Sequence, residues 1–278
     1  LSHIGEYVYP DKDSENYVGL PVDEYYVNKF ARLFLDNPNS AVGMGINSAT
    51  DAHTRCDRIL YDQILKKTIP NNVVPWGFTF SDSHDADSIN YAYTMHYMPE
   101  LSNDELRTSM ETGTFFSISH YSNGVELNGM REMPEYVEED VNYESNDTPL
   151  VTRIEIDEEN DTITIWGENF DTITWIADGN VIERTYDCDE GNSITIDLND
   201  YDIDYFVRFY ITGEDGICYS QPFVVREEGT HFNPVDVPIT ADTSTFLRKL
   251  ITFLDKIFFQ NDGIRIFKIV LMGYDPEA

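Results

Sequence analysis

Apolar positions along this chain follow two rhythms, one in each half. Through about residue 130, segments spaced for helices alternate with short apolar runs. Pro21 to Leu35 carries Val22, Tyr25, Tyr26, Phe30, Leu33 and Leu35 at roughly helical spacing, with Pro21 where a first turn tolerates it. Ala41 to Ile46 reads as a short strand with glycines at 43 and 45. Arg55 to Leu65 reads as a helix presenting Ile59, Leu60, Ile64 and Leu65. The run from Val73 to Phe80 reads as a buried strand ending at Asp82. Ser102-Asn103-Asp104-Glu105 is a capping box opening a helix over Asp104 to Glu111, which Gly113 stops. Thr114 to His120 is the next strand. Such alternation predicts a parallel sheet or barrel with its site at the C-terminal strand ends.

From Glu132 to Pro149 the chain is acidic and irregular, the composition of a linker. Beyond it the apolar period becomes two. Short strands are expected at Thr152-Ile154-Ile156, Ile163-Ile165, Ile173-Trp175, Val181-Ile182, Ile194-Ile196-Leu198, Phe206 to Ile211 and Ile217 to Val225, with turns at Asn160-Asp161, Asp178-Gly179 and Glu214-Asp215 between them. Strands this short and closely spaced predict a β-sandwich. The string Asp-Thr-Ile-Thr at 161–164 and again at 171–174 marks two strands of like design. The expected organisation is therefore a barrel portion over 1–132, a linker over 133–149, a sandwich over 150–229 and a tail over 230–278.

In the tail, Thr243 to Phe259 lays Phe246, Leu247, Leu250, Ile251, Phe253, Leu254, Ile257 and Phe258 on a wide helical stripe, and Ile264 to Leu271 adds a second apolar piece. Five of the 18 basic residues fall there: Arg248, Lys249, Lys256, Arg265 and Lys268. Two readings of 243–271 stand open. One is contact with an anionic membrane surface; the other is docking on the acidic body or self-association.

Composition narrows the partners. A chain of 278 residues with 41% apolar content, 16 Phe and 18 Tyr has the means to build a packed core. A net charge of −33 argues against nucleic acid, whose phosphates need clustered Lys and Arg. Divalent cations suit such a chain better. Cys56, Cys188 and Cys218 have no Cys-x-x-Cys spacing, and only a pairing of Cys188 with Cys218 is left open. No run approaches the length of a membrane-spanning helix. Because the chain starts at Leu1, location stays open between the cytoplasm and a secreted or envelope setting.

The chemistry-bearing motif is Ser81-Asp82-Ser83-His84. In extended backbone, residues two apart project to one side, so a carboxylate and an imidazole would leave the strand end together, as two metal ligands do. Arg55 is a candidate clamp for phosphate oxygens, with a surface pair to Asp51 or Asp57 as the alternative. His53 and His120 receive no role.

Several stretches together resemble a known family. Leu1-Ser2-His3-Ile4-Gly5, the Val42-Gly43-Met44 strand with Asp51, Arg55, Asp57, Arg58 and Asp62 after it, Trp76-Gly77-Phe78 leading into Ser81-Asp82-Ser83-His84, and Gln221-Pro222-Phe223 are similar to the later part of a polymerase-and-histidinol-phosphatase (PHP) domain of the bacterial type with an appended β-sandwich. The resemblance covers most of residues 1–228 and leaves the tail out. It implies the C-terminal portion of a distorted, TIM-like (β/α)7 PHP barrel, then an Ig-like β-sandwich and an amphipathic helical tail, α/β plus all-β in class. It also implies two or three divalent transition metals (zinc, manganese or iron) in the complete domain. His3, Asp82 and His84 would be ligands, Asp82 would also orient the attacking water, Arg55 would bind substrate, and the reaction would be hydrolysis of a small phosphorylated substrate. The family's opening His-x-His strand has no counterpart from Leu1 onward, so these residues are expected to be a fragment of the catalytic domain. Gly45 replaces a carboxylate that many relatives carry. A non-enzymatic binding or cell-envelope protein of degenerate barrel ancestry is the alternative.

Overall fold

The computed structural model describes residues 1, 4, 24–48, 54–84, 86, 89–120, 126–127, 130–131, 144–188 and 193–238. The chain divides into two units, Leu1–Val237 and Pro238–Ala278. All the described residues except Pro238 belong to the first. The tail stripe at 243–271 lies outside them, as do His3 and His53. Among the described residues no helix is long and apolar enough to cross a membrane.

Helix α1 (Glu24–Asp36) buries Val27, Asn28, Ala31 and Phe34, a stripe with helical period. Strand β1 (Gly43–Ser48) leads to helix α2 (Thr54–Thr68), which ends in a 3-10 turn over Ile69–Asn71 where Asn72 takes a left-handed φ of 61°. Strand β2 (Trp76–Phe80) then pairs with β1 in parallel, Gly43 opposite Trp76 and Ser48 opposite Phe80. The approach is close enough at Gly43 that a Cβ would lie 2.1 Å from the Trp76 carbonyl oxygen, so only glycine fits. Leu1 runs beside β1, donating its terminal amine to the Gly43 carbonyl at 2.9 Å and accepting from Gly45 N–H at 2.6 Å. Strand, helix and parallel strand therefore follow one another as the periodicity predicted.

The barrel expectation fails immediately after β2. Strand β3 (Ala92–His96) reaches β4 (Phe115–Ser119) through helix α3 (Asn103–Thr112), and the two strands run antiparallel. Parallel neighbours need a crossover of a dozen or more residues, usually helical. No helix lies among the described residues between Phe80 and Ala92, and the chain leaves the parallel pair there. A ribbon of β5 (Glu126–Leu127) and β6 (Met130–Arg131) follows. The remaining strands are β7 (Leu150–Asp157), β8 (Thr162–Glu168), β9 (Thr172–Ala177), β10 (Asn180–Thr185), β11 (Ser193–Asp197), β12 (Phe206–Gly213), β13 (Gly216–Tyr219) and β14 (Phe223–Val224). They form one sheet of order β10-β9-β12-β13-β4-β3, with β14 also on β12, and a second of order β11-β8-β7. The second half thus takes β3 and β4 from the first into its main sheet. Its strands are antiparallel throughout, and the (β/α)7 barrel is excluded.

The two sheets share a core, which is compatible with the expected sandwich. Phe116, Ile118, Trp175, Phe209, Ile211 and Cys218 of the large sheet pack with Val151, Ile163, Ile165 and Ile196 of the small one. The other face of the large sheet, through Ile176, Phe206, Tyr210, Ile217 and Tyr219, packs with α1, α2 and β1. Covered on both sides, β12 is buried at every position, odd residues toward one core and even residues toward the other. Each large apolar side chain so enclosed contributes roughly 1.5–3 kcal/mol. The β9–β10 hairpin turns through Asp178 (φ 49°) and Gly179 (φ 84°), the positive pair that suits the strand twist. Cys188 and Cys218 are thiols, not joined in a disulfide.

Polar ties span long stretches of sequence. Asp62 of α2 accepts two parallel hydrogen bonds from Arg208 of β12, both 2.8 Å, with each side chain only 2% exposed. The Gln221 amide satisfies both backbone groups of Gly77, accepting from its N–H at 2.8 Å and donating to its carbonyl at 2.9 Å. A side-chain amide there does what a neighbouring strand would do for β2.

Candidate functional site

Two places carry candidate chemistry: the C-terminal ends of β1 and β2, and a cleft beside Trp76. At the first, the backbone leaves β2 at Phe80 and Asp82 adopts a left-handed φ of 52°. Asp tolerates this region better than most residues. The turn means that the same-side projection expected of extended residues is not what relates Asp82 to His84. Their side chains nevertheless approach, Asp82 Oδ1 lying 3.8 Å from His84 Nε2. Two ligands of a tetrahedral cation stand about 3.4 Å apart, given bonds of roughly 2.1 Å. The Asp82 side chain is 34% exposed and that of His84 88%. No group of three or more metal-ligating side chains occurs among the described residues. His3 lies outside those residues, and Arg55 falls in the first turn of α2 with its side chain outside what the structure describes.

The arginine that the structure places against β1 is Arg58, one helical turn beyond Arg55. It is 1% exposed, donates from Nη1 to the Ile46 carbonyl at 3.2 Å and to Asn47 Oδ1 at 3.1 Å, and lies 5.6 Å from the centre of the Tyr219 ring. Sequence reasoning named it only within the family resemblance and gave it no role. The available signal was its place on the face shared with Tyr61 and Leu65, where a charged residue must have buried partners.

The cleft has a volume of about 460 Å³ and is lined by Trp76, Tyr97, Phe115, Phe116, residues 151–154 of β7 and residues 220–223. Its walls are fixed from behind. The Trp76 indole donates to the Glu111 carbonyl at 3.1 Å, and Gly113 (φ 72°) packs so closely that a Cβ would lie 2.6 Å from the indole ring. The Tyr97 hydroxyl donates to the Val151 carbonyl and its ring meets Phe116 edge-on at 5.6 Å. Burial, reinforced by the Cys218 thiol, pushes the Tyr97 hydroxyl up to about 12, so it remains a donor. Phe223 stacks on Phe209 at 6.2 Å. Trp76 also lines a wider depression of about 920 Å³ with residues of α3 and the segments around Ala41 and Val73. The cleft had no motif to announce it, because its walls come from separate stretches of chain.

No family model, curated protein or solved structure matches this chain.

Proposed function

We propose that this chain is a binding protein, the non-enzymatic alternative raised by its sequence, and that its ligand enters the aromatic cleft beside Trp76. One observation carries this reading: an apolar hollow of about 460 Å³ whose aromatic walls are held by internal hydrogen bonds and ring contacts. Concave, largely apolar hollows with a few fixed polar groups are where ligands bind, and walls that need no ordering on binding lose less affinity to entropy. The polar groups here are the β7 backbone and, already engaged with Gly77 and with the Phe209 N–H, the Gln221 amide and the Ser220 hydroxyl. The test is saturable binding of the fluorescent apolar probe anilinonaphthalene sulfonate to the folded protein. Thr152→Tyr, which fills the cleft from an exposed position, and Phe223→Ala should each weaken binding several-fold while the circular dichroism spectrum stays that of the parent. Binding unchanged in both variants would place the probe elsewhere and overturn the reading.

The 3.8 Å approach of Asp82 to His84 favours a second reading, a metal-dependent phosphoesterase. Two donors are at a spacing that suits one zinc, manganese or iron ion, and His3 would be a third. When bound, such an ion supplies a nucleophile at neutral pH and neutralises phosphoryl oxygens. Asp82 would hold the ion and orient the attacking group, while His84 would contribute a neutral imidazole. Metal retained after dialysis, together with p-nitrophenyl phosphate hydrolysis that is lost in both Asp82→Asn and His84→Ala, would support it. Hydrolysis unaffected by either change would remove it.

A further inference from the structure

The cleft has one wall made of strand edge, and that wall determines what fits. Strand β7 pairs with β8 on one side and ends the order β11-β8-β7, so no described strand uses its other side. Its residues 151–154 line the cleft. The register slips between Val151 and Arg153, leaving Thr152 without a partner in the β8 ladder. Tyr97 already takes the Val151 carbonyl, so the edge offers residues 152–154. A strand edge that no neighbouring strand uses is a template for another extended segment. Beside it, Trp76, Phe116 and Phe223 line an apolar socket for side chains projecting from such a segment.

Charge then selects the segment. Residues 238–278 contain five acidic and five basic side chains, so the net charge of −33 belongs entirely to the first unit. Along β7 and just beyond, exposed Glu155, Glu158 and Glu159 follow the cleft, and Ile156 presents 55% of its surface. Arg153 is already committed, pairing with Glu155 and lying 4.3 Å from the Trp166 ring centre. A ligand that continues along this edge leaves the apolar socket and meets carboxylates.

We infer that the cleft receives an extended peptide segment of alternating apolar and basic residues, which adds a strand to the edge of β7 that no described strand uses. The inference rests on the binding-protein reading and names the ligand class for the same site. Apolar side chains enter the socket, backbone groups pair with residues 152–154, and Lys or Arg side chains lie along Glu155 to Glu159.

Fluorescein-labelled peptides of sequence KFKLKVK and EFELEVE, and a KFKLKVK backbone N-methylated at alternate residues, separate the parts of this claim by anisotropy. The basic peptide should bind at least ten-fold more tightly than the acidic one and weaken between 20 and about 300 mM salt, as screened charges do. N-methylation and Thr152→Pro should each cost ten-fold or more. Equal binding of the N-methylated peptide would overturn the inference by showing adhesion to the acidic surface alone, and that control stands even if Thr152→Pro fails to fold. If anilinonaphthalene sulfonate fills the cleft but no peptide does, the peptide inference fails and the binding reading survives. If neither binds, both fall.

Discussion

Asp62 and Arg208 stand 146 positions apart in sequence and share two hydrogen bonds where almost no solvent reaches. Removing one partner strands the other charge, which typically costs about 3–5 kcal/mol. Asp62→Ala should therefore lower the urea midpoint sharply, and the double change Asp62→Leu with Arg208→Met should recover most of the loss. A midpoint near the parent's for Asp62→Ala alone would mean that water reaches the guanidinium. Two histidines give a pH prediction. Burial holds His96 and His120 below the usual histidine value, against a weaker opposing pull on His120 from Asp215. Each donates from Nδ1, His96 to Ser109 Oγ at 3.0 Å and His120 to the Asp215 carbonyl at 3.1 Å. Once pH drops below about 6.5, the unfolded chain takes up protons that the half-buried His96 and buried His120 rings resist. The stability they confer is complete above that value and is lost as pH falls toward their folded values. Urea midpoints measured from pH 7.5 to 5.5 should decline, and His96→Gln should flatten the slope; parallel profiles would contradict this. Residue identity was legible only in part. Asp82 and His84 are neighbours as their spacing suggested, through a turn rather than an extended strand. The Arg55 side chain lies outside the described residues, and the buried partners of Arg58 were not legible, because periodicity marks a buried face without saying which charged residue on it has found partners.

Helix α3 shows how far local sequence carries an element. Ser102 Oγ accepts from Glu105 N–H at 3.2 Å, and Gly113 closes the helix in a left-handed conformation. Both ends were readable from side-chain chemistry alone. What sequence did not reveal is that the closing glycine also backs the cleft, through its contact with Trp76. Gly113→Ala should cost about 2–4 kcal/mol, combining a left-handed backbone penalty with overpacking. Ser102→Ala should cost only about 1 kcal/mol. Thermal melts of the two variants would rank them, and the reverse order would show that the indole yields easily. The strands were legible one at a time, since period two and turn residues are local. Their pairing was not. β4 reads as a strand of either half, and only contacts far along the chain, Ile118 opposite Cys218 among them, decide that it joins β13 antiparallel. The barrel expectation extended the parallel β1–β2 pair by analogy, past the point where crossover helices stop.

Across the whole molecule, charge is the dominant unbalanced quantity. A net −33 concentrated in one unit repels itself, and salt should relieve it. Raising ionic strength from 0.01 to about 1 M shortens the screening length from about 30 to 3 Å, and the melting temperature should rise across that range. A fall would mean that the few ion pairs outweigh the repulsion. The partnership of β4 with β13 has a temporal side as well. Ser119 of β4 finds its partner Ile217 only after the intervening chain has been synthesised, which at translation speeds of about 5–20 residues per second takes roughly 5–20 s. Through that interval a nascent chain carries Phe115–Ser119 with β3 as its one available neighbour and the edge that β13 will cover open to chaperones and to other unfinished chains on the same message.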